Sequence, residues 1–253
     1  MLRAFLSGSA ALLAFAGVAA AADLPTAKPA PPPPPPVWNW SGIYAGVDGG
    51  FGWGDASWGF PISQFFANVA GQGFSSDPTG GLLGGHIGIN QQFGSFVVGL
   101  EGAAEWADLT RNQVGVVSPA YPLDAYTTKF TDIESATGRL GYAATNWLFY
   151  GKAGVATTNL DFNVLSGAPV AGVAAQRSFR LWGPTVGAGV EYMWTPNIVL
   201  GLEYDYSHFN RGAFATTGAC TVAATCGTNA PLVTVSGSSV DLNSLLARIS
   251  YKF

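Results

Sequence analysis

Acid–base and nucleophilic chemistry need carboxylates, histidines or thiols held a few ångströms apart, and this chain offers few such groupings. Glu101 and Glu105 fall on one side of an alternating segment. Four steps of extended chain, at about 3.3 Å each, separate them by about 13 Å. Carboxyl pairs that cleave glycosidic bonds lie about 5 to 9.5 Å apart, so this pair is not a catalytic dyad. Glu203 and Asp205 are nearer, about 6.6 Å by the same rise. Asp205, Ser207 and His208 supply the residue types of an acid, a nucleophile and a base. Alternation nevertheless sends Asp205 and Ser207 to one face and His208 to the other. His86, the second of only two histidines, lies on the polar side of its segment with no obvious serine partner. A lipid-modifying enzyme is therefore the least favoured function, and no cofactor is implied.

The elements that must position these residues are strands. Ile43, Ala45, Val47, Gly49, Phe51 and Trp53 alternate with Tyr44, Gly46, Asp48, Gly50 and Gly52, which is a period of two. The pattern recurs from Phe96 to Trp106, Phe149 to Val155, Trp182 to Tyr192, Ile198 to Tyr206 and Leu245 to Phe253. Two weaker segments run from Gly81 to Gln92 and from Phe130 to Tyr142. Three connections are short, around Gly94, Ala144–Asn146 and Thr195–Asn197. Four, after Trp53, Trp106, Thr157 and Asn210, are expected to be about 20 to 28 residues long. Seven connections that alternate long and short imply eight strands with both termini on the short-turn side. Short turns on one side, long loops on the other and about ten residues per strand are the pattern of an outer-membrane barrel. Closure also satisfies every backbone group in lipid. The predicted fold is all-β, an eight-stranded antiparallel transmembrane β-barrel with short periplasmic turns and four long external loops. Pro184, inside one segment, makes the start of that strand uncertain, since proline removes a ladder hydrogen bond.

Charge placement separates this barrel from a soluble one. Asp48, Glu101, Glu105, Arg139, Lys152, Glu191, Glu203, Asp205, Arg248 and Lys252 all fall on the polar set. A soluble lipocalin-like barrel shows the reverse, apolar inside and polar outside. Charges enclosed in a narrow lumen must pair or be hydrated, so these ten are expected to form an ion-pair network. Trp53, Trp106, Trp194, Tyr204 and Tyr206 read as aromatic girdles at the two interfaces.

Composition agrees. Of 253 residues only 10% are charged, 48% are hydrophobic and the net charge is −4. A basic nucleic-acid footprint is absent, and no run of about 20 apolar residues follows the N-terminus, which excludes membrane helices. Met1–Arg3, the apolar stretch from Ala10 to Ala21 and the small residues Ala20–Ala22 have the layout of a cleaved signal over residues 1–22. Residues 23–39 form a proline-rich periplasmic tail with six consecutive prolines, Pro31–Pro36, a spacer that cannot pack a core. The tail is a candidate peptidoglycan contact. The barrel occupies residues 40–253. In an exported chain Cys220 and Cys226, which flank five residues of the last long loop, are expected to form a local disulfide. A metal site would need further ligands nearby.

The segments WSGIYAGVDGGFGWG, GGLLGGHIGINQQF, VVGLEGAAEW, TGRLGYA, LFYGKAGVA, TVGAGVEYMWTPN, LGLEYDYSHF and LLARISYKF, with AAADLP at the cleavage region, carry a family resemblance. In this order the chain resembles the porin-annotated outer-membrane immunogenic proteins of alphaproteobacteria, small barrels of the OmpA-like superfamily. The resemblance implies an integral protein of the Gram-negative outer membrane, in contact with lipid and lipopolysaccharide and reached by Sec-type export. The terminal Phe253 resembles the signal read by the barrel-assembly machinery. Two functions remain. One is a structural barrel that strengthens the envelope and presents its loops as an antigen or adhesin. The other is a narrow or transient porin, though eight strands leave an interior just wide enough for side chains to fill.

Overall fold

Alternating side chains and β-branched or aromatic residues favour extended chain, and the computed structural model contains long antiparallel strands. It describes residues 38–60, 72–116, 122–165, 173–210, 214–216, 219–220 and 233–253. The eight barrel strands, in chain order, are Gly42–Phe60, Thr79–Phe93, Phe96–Val114, Ala125–Ala144, Trp147–Leu165, Val173–Met193, Ile198–Asn210 and Val233–Lys252. Each pairs with the next, and the first pairs with the eighth, Asp48 opposite Arg248, which closes the barrel. Three short strands add to its outer end: Gln72–Ser76 on the first strand, Ala219–Cys220 on the sixth and Phe214–Thr216 on the eighth. Among the described residues no helix is long and apolar enough to cross a membrane.

The short-turn end is tight. Gly94 adopts φ +62° in the first turn, a conformation glycine takes freely. Thr145 adopts φ 58° in the second, where its branched Cβ is strained. From Phe96 to Trp106, ten steps at about 3.3 Å and a tilt of about 40° span about 25 Å, the height of an outer-membrane apolar band. Leu100 in the middle is 67% exposed and Trp106 at the rim 77%, so this face is turned outward.

Two expectations are corrected above the band. The strands do not stop after about ten residues; most run to 19 or more. The connections predicted to be long after Trp106 and Thr157 reduce to residues 115–124 and 166–172. Eight further residues from Trp106 to Val114 carry the wall about 20 Å beyond the apolar band by the same rise and tilt. Polarity inverts in this outer half. Leu109, Phe130, Leu160, Phe162 and Phe209 are fully buried inside, while Asp108 and Asn210 are exposed outside and Lys129 is part-exposed. Trp58 stacks on Phe162 with ring centroids 4.2 Å apart. The outer half is thus a soluble-type barrel built on a membrane-type one. Register shifts between Ala56 and Trp58, Trp106 and Leu109, and Phe130 and Asp132 mark the transition. Such bulges bend and twist the wall.

Pro184 points outward at the place where the ladder to the seventh strand stops, the first pair being Thr185 with Ser207. Its missing N–H therefore interrupts no pairing there. The predicted signal, residues 1–22, and residues 23–37 of the predicted tail lie outside the described residues, as do Cys226 and the side chain of Cys220.

Candidate functional site

The membrane-spanning half of the lumen is a layer of buried charge. Glu101 on the third strand is its hub. It accepts from the Tyr44 hydroxyl at 2.8 Å and from Arg248 Nη2 at 2.7 Å, and Arg139 Nη1 lies 3.3 Å away. Arg139 also donates to Tyr44 at 2.9 Å, and its Nη2 lies 2.9 Å from Glu191 on the sixth strand, across the lumen. Its guanidinium sits 3.9 Å above the Tyr150 ring, within cation–π range. Glu203 gathers Lys152 at 2.7 Å, the Tyr150 hydroxyl and Arg248 Nη1. Lys152 also lies 3.1 Å from Asp205 and 3.7 Å from Glu101. Seven charged side chains and two tyrosines therefore lock strands from opposite walls together.

The other three predicted members stand apart. Among the described residues Asp48 has no arginine or lysine partner; its Oδ2 lies 2.8 Å from His86 Nδ1. Glu105 lines the lumen farther out, with no cation within 4 Å among the described residues. Lys252 corrects the expectation of a tenth network member, because its ammonium donates to the Asn39 carbonyl at the periplasmic rim. Tyr44 and Tyr150, on the inward faces of the first and fifth strands, are further partners that charge placement alone does not reveal.

His86 does have a serine. Its Nε2 lies 2.7 Å from Ser250 Oγ, so Ser250, His86 and Asp48 stand in the order of a nucleophile, base and acid. All three are buried at 3–5% exposure. A Cβ on Gly46 would come within 2.6 Å of the imidazole, so backbone packs where an acyl group would have to sit. The geometry is that of a satisfied polar cluster rather than an accessible active site. His208, as alternation requires, faces outward, where its Nδ1 lies 2.6 Å from Asp241.

Below the charge layer the lumen ends in an apolar stopper. Trp40, 1% exposed, packs with Val97, Ala143, Leu148, Tyr150, Met193 and Val199. Its backbone N–H donates to Gln92 Oε1 at 2.8 Å, which pins the chain ahead of the first strand to the rim. Above the charge layer, Leu82, Leu109, Phe130, Leu160, Phe209 and Leu242 belong to one outer core. Apolar, charged and apolar layers thus fill the interior in succession. Of the predicted girdle, Trp53 lies 6.2 Å from Tyr204 on the outward face, Trp106 is exposed and Tyr206 partly so, and exposed Trp194 lies with Trp147 at the short-turn end. Trp182 is 65% exposed as well. Phe253 is 72% exposed, its N–H donating to the Ile43 carbonyl.

Residues 8–253 match the model of the family described as outer membrane protein beta-barrel domain. The chain is 30% identical to the 25 kDa outer-membrane immunogenic protein of Brucella ovis, over 82% of this chain and 90% of that one. It is 30% identical to the 22 kDa outer membrane protein of Rhizobium leguminosarum, over 68% of this chain and 65% of that one. Among solved structures, the outer membrane protease OmpT of Escherichia coli superposes with a TM-score of 0.54 at 9% identity, over 84% of this chain and 97% of that one, a likeness of fold alone.

Proposed function

Because this chain belongs to the outer-membrane β-barrel family of the Brucella immunogenic proteins, and so resides in the Gram-negative outer membrane, we propose that it serves there as a sealed structural barrel. In this role it stabilises the envelope and holds a rigid outer half, with its loops, clear of the lipid as a surface for antigenic or adhesive contact. One observation carries the reading: the lumen is blocked in three successive layers, by the outer apolar core, the Glu101–Arg139–Arg248–Glu203 layer and the Trp40 stopper. A diffusive pore needs a continuous watered path, and eight strands leave room for side chains and little else. Hydrolysis is disfavoured as well, since Ser250 and His86 are buried.

Lipid and lipopolysaccharide are the proposed partners of the apolar band and its girdles, and the barrel-assembly machinery is the proposed reader of the exposed Phe253. Peptidoglycan is the proposed contact of the proline-rich tail. The test is twofold. Proteoliposomes holding the folded protein should not swell in small sugars, and a strain lacking the gene should become sensitive to detergent. Swelling at rates typical of a porin, with no change in detergent sensitivity of the strain, would favour the narrow-pore alternative.

A further inference from the structure

Between the charged layer and the outer core lies a partly open cavity of about 20 Å³, enough for one or two water-sized occupants. Glu105, Asp205, Ser135, Thr185, Ser207 and Ser244 line it. Glu105 is 8% exposed, and among the described residues it meets neither a hydrogen-bond donor nor a cation. An isolated buried carboxylate is costly unless it is paired, bound to metal or neutralised.

The charges of the surrounding lumen do not balance. Six carboxylates, Asp48, Glu101, Glu105, Glu191, Glu203 and Asp205, face three fixed cations, Arg139, Lys152 and Arg248. Asp48 lies against His86. The carboxylates outnumber the fixed cations by three, and Glu105 is the one with no partner among the described residues. Asp205 shares Lys152 with Glu203, which lies closer to the ammonium.

We propose that this cavity binds one hard divalent cation of calcium's class, held by the carboxylates of Glu105 and Asp205. Hard cations take oxygen ligands, and the hydroxyls of Ser135, Thr185, Ser207 and Ser244 stand around the same space. Thr185 and Ser207 are already oriented by their mutual hydrogen bond of 2.9 Å. Softer metals are not served, since no His or Cys side chain lines this cavity. One divalent ion supplies two positive charges against this excess, which a water molecule does not. The proposal rests on the sealed-barrel reading, because an open lumen would hydrate the excess charge.

The test folds the full mature chain from urea into detergent micelles in chelator, in calcium chloride or in magnesium chloride. Cation present during folding needs no entry path through a sealed wall. Metal retained after gel filtration is measured by mass spectrometry, alongside the thermal midpoint. Wild type should retain one calcium per chain and melt higher than in chelator, while Glu105→Gln should retain none and melt alike in both. Asp205→Asn gives a second reading if Glu105→Gln fails to fold. Glu134→Gln, on the outer face, should retain the ion like wild type. Wild type without bound metal, or Glu105→Gln with an equal amount, would overturn the site. So would a wild-type midpoint that responds to acidification and not to cation, for a proton would then neutralise Glu105. Conductance of the same samples separates the two readings: steady channels would refute the sealed barrel, and a sealed barrel without calcium would refute the site alone.

Discussion

Replacing Arg139 with methionine keeps much of its volume and removes its charge. The side chain is 3% exposed and serves Glu101, Tyr44 and Glu191 together. Removing one member of a buried ion pair costs about 3 to 5 kcal/mol, because the other charge is left uncompensated. The rescue partner is specific. Glu101 keeps Arg248 at 2.7 Å, whereas Glu191 has Arg139 as its ion partner among the described residues. Glu191→Gln added to Arg139→Met should therefore recover about 2 to 3 kcal/mol, within the coupling range of residues in one network. Glu101→Gln should recover less, because it strips Arg248 and Lys152 of a partner. Glu105→Gln should recover nothing from this pair. Urea titration of folding into phospholipid vesicles, read by tryptophan fluorescence and by mobility on unheated gels, gives each free energy. Additivity of Arg139→Met and Glu191→Gln within about 0.5 kcal/mol would refute the cross-lumen pairing.

Leu100→Arg, at the centre of the outward face, should cost about 2 to 4 kcal/mol in the same titration and lower assembly in cells; a neutral result would misplace the apolar band. Thr145→Gly relieves a branched residue at positive φ and should stabilise the barrel by about 1 kcal/mol, against the loss expected had the turn been relaxed. Ser250 should stay unlabelled by a fluorophosphonate probe under folding conditions, and labelling that Asp48→Asn abolishes would instead reveal an accessible triad.

The membrane half was legible because two periodicities coincide there. From Tyr44 to Gly52 and from Gly99 to Glu105, the inner residues are polar or small and the outer ones face lipid, so alternation assigns both faces at once. In the outer half the same alternation continues with inverted chemistry, and a search for apolar-out strands ends at Trp53 and Trp106. The bulge between Phe130 and Asp132 also shifts the inward set from even to odd numbers along the fourth strand. Ionic partners were legible by face but not by contact. The Arg139–Glu191 pair spans the lumen, and Asp48–His86–Ser250 joins the first, second and eighth strands, which only closure brings together. Trp40 precedes the first strand and carries no alternating signal, so its place inside the mouth follows from tertiary packing alone.

The sealed lumen is tested most directly by planar-bilayer recording of the folded mature protein, compared with Trp40→Ala and Arg139→Met. Wild type should show no steady channel, and the two variants, each disturbing one layer, should show at most brief, small events, because the outer apolar core still blocks the lumen. Large, steady conductance in wild type, unchanged by either substitution, would contradict the sealed barrel.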